Sequence, residues 1–189
     1  MDYFLGTVKH RSARATVGSH GGLWPRLHPS VFLADGARVM GDVEIGEDSS
    51  VWFNCVLRGD VGKITIGKTT NIQDGAIIHC TFQKFATTIG DNVTIAHLAM
   101  VHGCVIENDC LIGMHTIIMD GCVIGKGSIV GAGSLVTQGT IVPPGSLVLG
   151  SPAKVIRPVK SHEIEGFLET ARRYVDYTKG YDFRIDAFS

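Results

Sequence analysis

The chain has 189 residues, of which 17 are basic and 18 acidic, and this balance gives no electrostatic case for binding nucleic acid. A chain of this length can bury a substantial core as one domain, and no apolar run approaches the roughly 20 residues of a membrane span. The five cysteines are an odd number without close-pair spacing, which predicts reduced packing residues in a cytoplasmic protein.

Residues 1–30 differ from the rest of the chain because they lack its repeat. No acidic residue occurs between Tyr3 and Ala34, whereas Lys9, Arg11 and Arg14 are basic. We expect an N-terminal arm packed on the domain, and organellar targeting by this basic segment is the alternative.

A six-residue repeat dominates residues 31–158. Aliphatic residues recur at this interval, and a glycine or another small residue often follows them. The repeat positions are Leu33, Val39, Ile45, Val51, Leu57, Ile66, Ile72, Ile78, Ile89, Ile95, Val101, Ile106, Ile112, Ile118, Ile124, Val130, Val136, Val142 and Val148. A helix has no period of six, so the pattern predicts an all-β solenoid in which three hexapeptides close one coil and the aliphatic side chains stack inside.

Two segments interrupt the repeat, and both flank His79. Residues 61–65 add a short insertion, and residues 81–88 add a longer loop. Insertions in a solenoid map to loops that often carry function. We therefore expect a functional site near these two segments.

Residues 159–189 predict a C-terminal helix and tail. Ser161 is a candidate N-cap, and Gly180 is a candidate stop. An apolar stripe at helical spacing comprises Ile164, Phe167, Leu168, Ala171, Tyr174 and Val175. The helix is expected to lie along the coil and cover apolar surface.

The repeat predicts where two of the histidines lie on the coil. If the faces of the coil are called A, B and C, with Leu57 on face A, then Ile78 and Val101 also fall on face A. His79 and His102 each follow one of these residues. Adjacent β segments lie about 4.8 Å apart, so the two imidazoles are expected to stack and share one Zn²⁺.

A third histidine, His97, falls on a different face. It lies two residues after Ile95 on face C, and Asp74 is its column partner one coil earlier. One chain would not readily bring His97 to the pair on face A, whereas a neighbour around a threefold axis could. The sequence therefore predicts a metal site completed by a second subunit.

The central motifs resemble the gamma-class carbonic anhydrase-like proteins over roughly residues 28–178. The matching residues are Asn54, Arg58-Gly59-Asp60, Asn71-Ile72-Gln73-Asp74, His79, His97, His102-Gly103-Cys104 and Gly150-Ser151-Pro152-Ala153-Lys154. The resemblance implies a left-handed β-helix with a C-terminal helix, assembled as a homotrimer. It also implies Zn²⁺ held by His79 and His102 of one chain and His97 of the next, with Fe²⁺ or Co²⁺ as other metals that suit imidazole.

The resemblance also implies roles around the metal in the reversible hydration of CO₂ to bicarbonate. Arg58 and Asp60 match an intersubunit ion pair, and Gln73 matches the residue that hydrogen-bonds zinc-bound water. The remaining matches are to supporting or interface positions, at Asp74 and Asn71, and to a tyrosine at the rim of the site, at Tyr174.

The chain departs from the family pattern where a proton would leave the site. Glutamates of the best-known member are replaced by Val61 and by the loop 81–88, which has no carboxylate. Fast hydration needs a proton shuttle, so we expect weak or buffer-dependent activity. His115 is unusual for the family, and we expect it to face solvent or to stack on its neighbours, with a role as proton shuttle as the alternative.

Two other functions are compatible with the sequence. Residues 150–154 resemble the ending of hexapeptide-repeat acyltransferases that use coenzyme A and a histidine base without metal. A metal-stabilised trimer could also serve as a non-catalytic binding protein, since some relatives are labelled as binding an iron chelate.

Overall fold

The computed structural model describes residues 10–183, which form a parallel β-solenoid of about seven turns followed by one α-helix. This architecture is a left-handed β-helix of hexapeptide repeats, as predicted. In chain order the strands are β1 (His10–Arg11), β2 (Thr16–Gly18), β3 (Arg26–Leu27), β4 (Phe32–Leu33), β5 (Arg38–Ile45), β6 (Ser50–Val51), β7 (Val56–Ile66), β8 (Asn71–Ile72), β9 (Ile77–His79), β10 (Thr87–Ile89), β11 (Thr94–Ile95), β12 (Met100–His102), β13 (Val105–Ile106), β14 (Leu111–Ile112), β15 (Ile117–Ile118), β16 (Val123–Ile124), β17 (Ile129–Val130), β18 (Leu135–Val136), β19 (Ile141–Val142), β20 (Ser146–Gly150) and β21 (Ala153–Pro158).

The strands stack into the three expected faces. Face A carries β2, β9, β12, β15 and β18, and face B carries β3, β10, β13, β16 and β19. The long strands β5 and β7 turn the corner and belong to both faces. Face C carries β1, β4, β6, β8, β11, β14, β17 and β20, closed by the antiparallel strand β21.

In-register stacking of the repeat builds the core. On face A, Leu57 pairs with Ile78, Ile78 with Val101, and Val101 with Ile118. All four side chains are fully buried. Because one aliphatic residue per hexapeptide points inward, the residue after it is carried to the outer surface, where a functional side chain can stand.

The solenoid includes part of the segment expected as an arm. Strand β1 pairs with β4, while β2 and β3 pair with the two halves of β5. A turn that contains the bridge between His20 and Leu23 separates β2 from β3 and interrupts the six-residue period there. Residues 1–9 of the expected arm lie outside the described residues.

The two expected insertions differ in structure. Residues 61–65 do not leave the coil as a loop but lie within β7, where the pairing with β5 shifts register between Gly41 and Val43. Residues 81–86 form a turn closed by a bridge between Thr81 and Phe85, and the chain then enters β10.

One helix, α1 (Ser161–Thr178), covers face C next to β6 and β11 and buries Phe167 and Ala171. Its N-cap is Lys160, one residue before the expected cap, because the Lys160 backbone N–H donates to the Glu163 carboxylate at 2.8 Å. Within residues 10–183 no helix is both long and apolar enough to cross a membrane.

Candidate metal centre

His79 and His102 form the centre of the candidate site on face A. The two residues are direct partners between β9 and β12, as the six-residue register predicts. Their rings meet edge to face, and Nδ1 of His79 lies 3.0 Å from Nε2 of His102. One nitrogen of each imidazole is therefore aimed at the same point.

The other nitrogen of each imidazole is held by a carboxylate. His79 Nε2 donates to Asp60 Oδ1 at 2.9 Å, and His102 Nδ1 donates to Asp120 Oδ1 at 2.7 Å. These bonds fix the tautomers, so that with neutral rings both facing nitrogens carry lone pairs. Two lone pairs at this distance repel unless a cation lies between them.

This donor arrangement fits a tetrahedral divalent metal ion. Two imidazole nitrogens bound to one Zn²⁺ at 2.0–2.1 Å lie about 3.3 Å apart, close to the spacing of the two facing nitrogens. At zinc sites the second nitrogen of a ligating imidazole commonly donates a hydrogen bond to a carboxylate, which orients the ring and raises its basicity. His79 and His102 are thus suited to supply two metal ligands.

Asp120 is a site residue that the sequence reasoning missed. Its second oxygen accepts a hydrogen bond from the Thr81 hydroxyl at 2.7 Å. Burial opposes its ionisation, but the bonds from Thr81 and His102 outweigh burial and hold the pKa of Asp120 below its usual range. Asp120 directly follows Met119, which occupies the position after His102 in the stack that also contains His79. The six-residue register could therefore have indicated that Asp120 lies near His102.

Gly103 makes room for this carboxylate. A Cβ on Gly103 would lie 2.2 Å from Asp120 Oδ1, and the backbone there has a φ of +55°, which disfavours residues with side chains. The glycine after His102 is therefore required for Asp120 to reach the imidazole.

Arg58 and Asp60 complete the group on face A. Arg58 donates to Asp60 Oδ2 within the same chain, so Asp60 bridges the guanidinium and His79. Burial again opposes ionisation, but the bonds from His79 and Arg58 hold the pKa of Asp60 below its usual range. This ion pair forms within one chain, and the pair between subunits that the resemblance implies stays a prediction.

The other candidate residues lie on face C. His97 Nδ1 is 2.9 Å from Asp74 Oδ2, so this imidazole also has a carboxylate behind it. Gln73 Nε2 donates to Asn71 Oδ1 at 3.0 Å, and Asn71 Nδ2 donates to Thr94 Oγ1 at 2.9 Å. The amides of Asn71 and Gln73 are buried, which fixes their orientation.

Tyr174 lies on α1 at the edge of this second group. Its ring meets Trp52 edge to face, with centroids 5.2 Å apart. Burial, with a smaller contribution from the charge of Asp74, raises the pKa of the phenol, so the hydroxyl stays protonated. His115 is exposed at the corner that follows face C, and its backbone N–H donates to the His97 carbonyl.

The candidate residues of one chain thus fall into two separate groups, which are called the first and the second half-site. The first half-site contains Arg58, Asp60, His79, His102 and Asp120, and the second contains Asn71, Gln73, Asp74, His97 and Tyr174. In the part of the chain that the structure describes, no group of three His, Cys, Asp or Glu side chains is arranged to hold a metal ion. All five cysteines are buried and unpaired, and burial raises the pKa of Cys55 to about 12, which makes it a poor ligand or nucleophile.

Comparison with known proteins supports a hexapeptide-repeat enzyme. Residues 103–138 match the family model described as bacterial transferase hexapeptide, six repeats. A solved structure of a hexapeptide transferase family protein from Anaplasma phagocytophilum is 40% identical, with a TM-score of 0.84, and the match covers 88% of this chain and 98% of that chain.

Two curated relatives define the family more closely. A probable carbonic anhydrase of Methanocaldococcus jannaschii is 53% identical over 149 residues, which cover 79% of this chain and 93% of the relative. Gamma carbonic anhydrase 2, mitochondrial, of Arabidopsis thaliana is 41% identical over 157 residues, 80% of this chain but 56% of that longer protein. Together with the β-helix and the carboxylate-backed histidines, these relatives show that the chain belongs to the gamma carbonic anhydrase family of lyases.

Proposed function

We propose that the protein catalyses the reversible hydration of CO₂ to bicarbonate at a divalent metal ion held between subunits of a homotrimer. The observation that carries this proposal is the pair of facing imidazole nitrogens of His79 and His102, 3.0 Å apart, each ring backed by a carboxylate. Zn²⁺ fits three imidazole ligands with an open position, and Fe²⁺ and Co²⁺ suit the same ligands.

The outer surface of face A supports a subunit contact beside this pair. Ile77, Met100 and Ile117 stand in one row across β9, β12 and β15, and each is 39–43% exposed. Such a row of exposed apolar side chains is typical of a surface that a protein partner covers. A second copy packed here would carry its own His97 on a different face, and so could supply the missing ligand.

Different residues of the chain would have different roles at the proposed site. A bound metal ion supplies a Lewis acid that ionises water near neutral pH. Asp60 and Asp120 hold His79 and His102 in the tautomers that present lone pairs to one point. Gln73, fixed by Asn71, is placed next to Asp74 on the second half-site, where its amide would orient the nucleophile or CO₂.

Subunit complementation tests the shared site. His97→Ala and His102→Ala should each lose metal and activity alone. Co-expression of the two should restore both in part, because about one quarter of the interfaces in a randomly mixed trimer combine two intact halves. His115→Ala is the control and should keep its metal. Mixed trimers that stay empty would contradict a site shared between chains.

An acyl transfer function is the second candidate, because a solved hexapeptide transferase family protein shares the fold closely. Such an enzyme would use a histidine as base without metal. A metal-free protein that transfers an acyl group from acetyl coenzyme A, and loses this activity in His102→Ala, would favour it over CO₂ hydration.

A further inference from the structure

A cleft of about 500 Å³ lies between face C and the C-terminal end of α1. Five aromatic side chains line it, namely Trp52, Phe53, Tyr174, Tyr177 and Tyr181. Several of the rings stand nearly at right angles, with Trp52 at 83° to Tyr174 and at 75° to Tyr181. The cleft therefore presents both faces and edges of electron-rich rings.

Two carboxylates, those of Asp74 and Asp176, complete the lining, and among residues 10–183 no lysine or arginine lines the cleft. Asp176 pairs with Lys179 at 2.7 Å, but both side chains are about 70% exposed. Pairs this exposed contribute little, so a bound cation could replace Lys179 at low cost. The charge in the cleft is thus complementary to a positive ligand.

We propose that this cleft binds a small organic cation of the alkylammonium class. Aromatic faces attract cations through the ring quadrupole, and alkylated ammonium groups are the ligands that several rings together recognise best. An anion would be repelled by the two carboxylates. A neutral apolar ligand would leave those carboxylates without a favourable contact.

The cleft overlaps the edge of the candidate metal centre. Asp74 and Tyr174 belong to both, since both residues line the cleft and one oxygen of Asp74 lies 2.9 Å from His97 Nδ1. Tyr177, Tyr181 and Asp176 line the cleft and are not among the candidate site residues. The proposal rests on the cleft itself and stands whether or not the protein hydrates CO₂.

Calorimetry on the full-length, metal-loaded assembly tests the proposal with choline and its uncharged isostere 3,3-dimethylbutan-1-ol. Choline should bind about tenfold or more tightly than the alcohol, since a charge effect of 1.4 kcal/mol corresponds to tenfold. Equal binding of both compounds, or no binding of choline to the native assembly, would overturn the proposal; the latter would show that a neighbouring copy fills the cleft.

Variants outside the metal site localise the binding. Tyr177→Leu and Asp176→Asn should each weaken choline binding several-fold, whereas Tyr177→Phe keeps the ring and should bind as the parent does. Glu169→Gln changes an exposed acid of α1 that does not line the cleft and is the matched control. Unchanged affinity in both Tyr177→Leu and Asp176→Asn would place any choline site elsewhere and refute the assignment.

Discussion

At the level of single residues, the carboxylates behind the histidines decide what the site can bind. An imidazole that rotates freely presents either nitrogen to a ligand, and ordering it on binding costs free energy. In this chain Asp60 and Asp120 each hold one ring, so that the facing nitrogens are set before a metal arrives. The site is therefore preorganised for a cation with short, directional bonds.

Asp120→Asn tests this view of the site. The substitution keeps the shape but removes the charge that fixes and polarises His102, so metal affinity should fall about 10- to 100-fold. Competition with a chromogenic chelator measures the change. Asp109→Asn removes a carboxylate paired with Lys126 and Asn92 and should leave affinity unchanged. Equal affinities in Asp120→Asn and the parent would contradict the role of Asp120.

The sequence predicted the positions of the histidines better than their surroundings. A six-residue repeat assigns each residue a face, so His79, His102 and His97 could be placed without coordinates. Asp120 was not predicted because on face A only the position directly after the inward aliphatic residue was followed from coil to coil. The in-chain pairing of Arg58 with Asp60 escaped because side-chain reach is not contained in a register.

At the level of elements, a single acid connects the start of α1 to the strand before it. Arg157 donates twice to the Glu163 carboxylate, at 2.8 and 2.7 Å, and the Lys160 backbone N–H donates to the same group. The bonds from Arg157, then Lys160, lower the pKa of Glu163 from 4.5 to about 2. The helix start is thereby tied to the last strand of the solenoid.

This pKa shift predicts how the helix responds to acid. A lowered folded-state pKa gives stability that is present above pH 4.5 and is lost as the pH falls towards 2. The protection of first-turn amides of α1 against hydrogen exchange, measured relative to the intrinsic exchange rate at each pH, should therefore fall over this range. In Glu163→Gln this protection should already be low at pH 6 and change less with acid. Glu169→Gln serves as the control, and a first turn that ignores pH in the parent would refute the coupling.

Helix α1 also shows why element boundaries were harder to predict than faces. The apolar stripe correctly indicated a helix over this segment, but the cap moved to Lys160 because Glu163 bonds to its backbone. Strands β1, β2 and β3 were missed because residues 1–30 do not show the six-residue period, which the turn between β2 and β3 interrupts. Tertiary pairing with β4 and β5 forms these strands, and local sequence alone does not reveal such pairing.

At the level of the whole molecule, the proposed trimer would make metal binding depend on the apolar row on face A. Ile117→Lys places a charge at one end of this row, where burying an isoleucine contributes about 1.5–3 kcal/mol. We expect smaller sedimenting species and lower metal content together. Ile141→Lys makes the same change on face B, at a residue 64% exposed, and should alter neither. A metal-replete monomer of Ile117→Lys would show that one chain holds the metal alone.

The route by which protons leave the site should limit turnover. Hydrating CO₂ releases a proton, and passing it to solvent needs a titratable relay. The loop 81–88 has no carboxylate, and Val61 is partly buried against the core. The carboxylates that are near, Asp60 and Asp120, are already bonded to the imidazoles they orient.

Turnover should therefore depend on the buffer. Raising imidazole buffer at constant pH and ionic strength should increase kcat and leave kcat/KM nearly unchanged, because kcat/KM reports only the steps up to bicarbonate release. Val61→Glu should raise kcat in dilute buffer and reduce the response to imidazole, since it adds a relay beside Asp60. Val105→Glu makes the same change on face B and should do neither. A kcat that is high in dilute buffer and independent of buffer concentration would mean that a residue already present carries the proton. Lys84 is exposed on the loop and would be the first residue to replace.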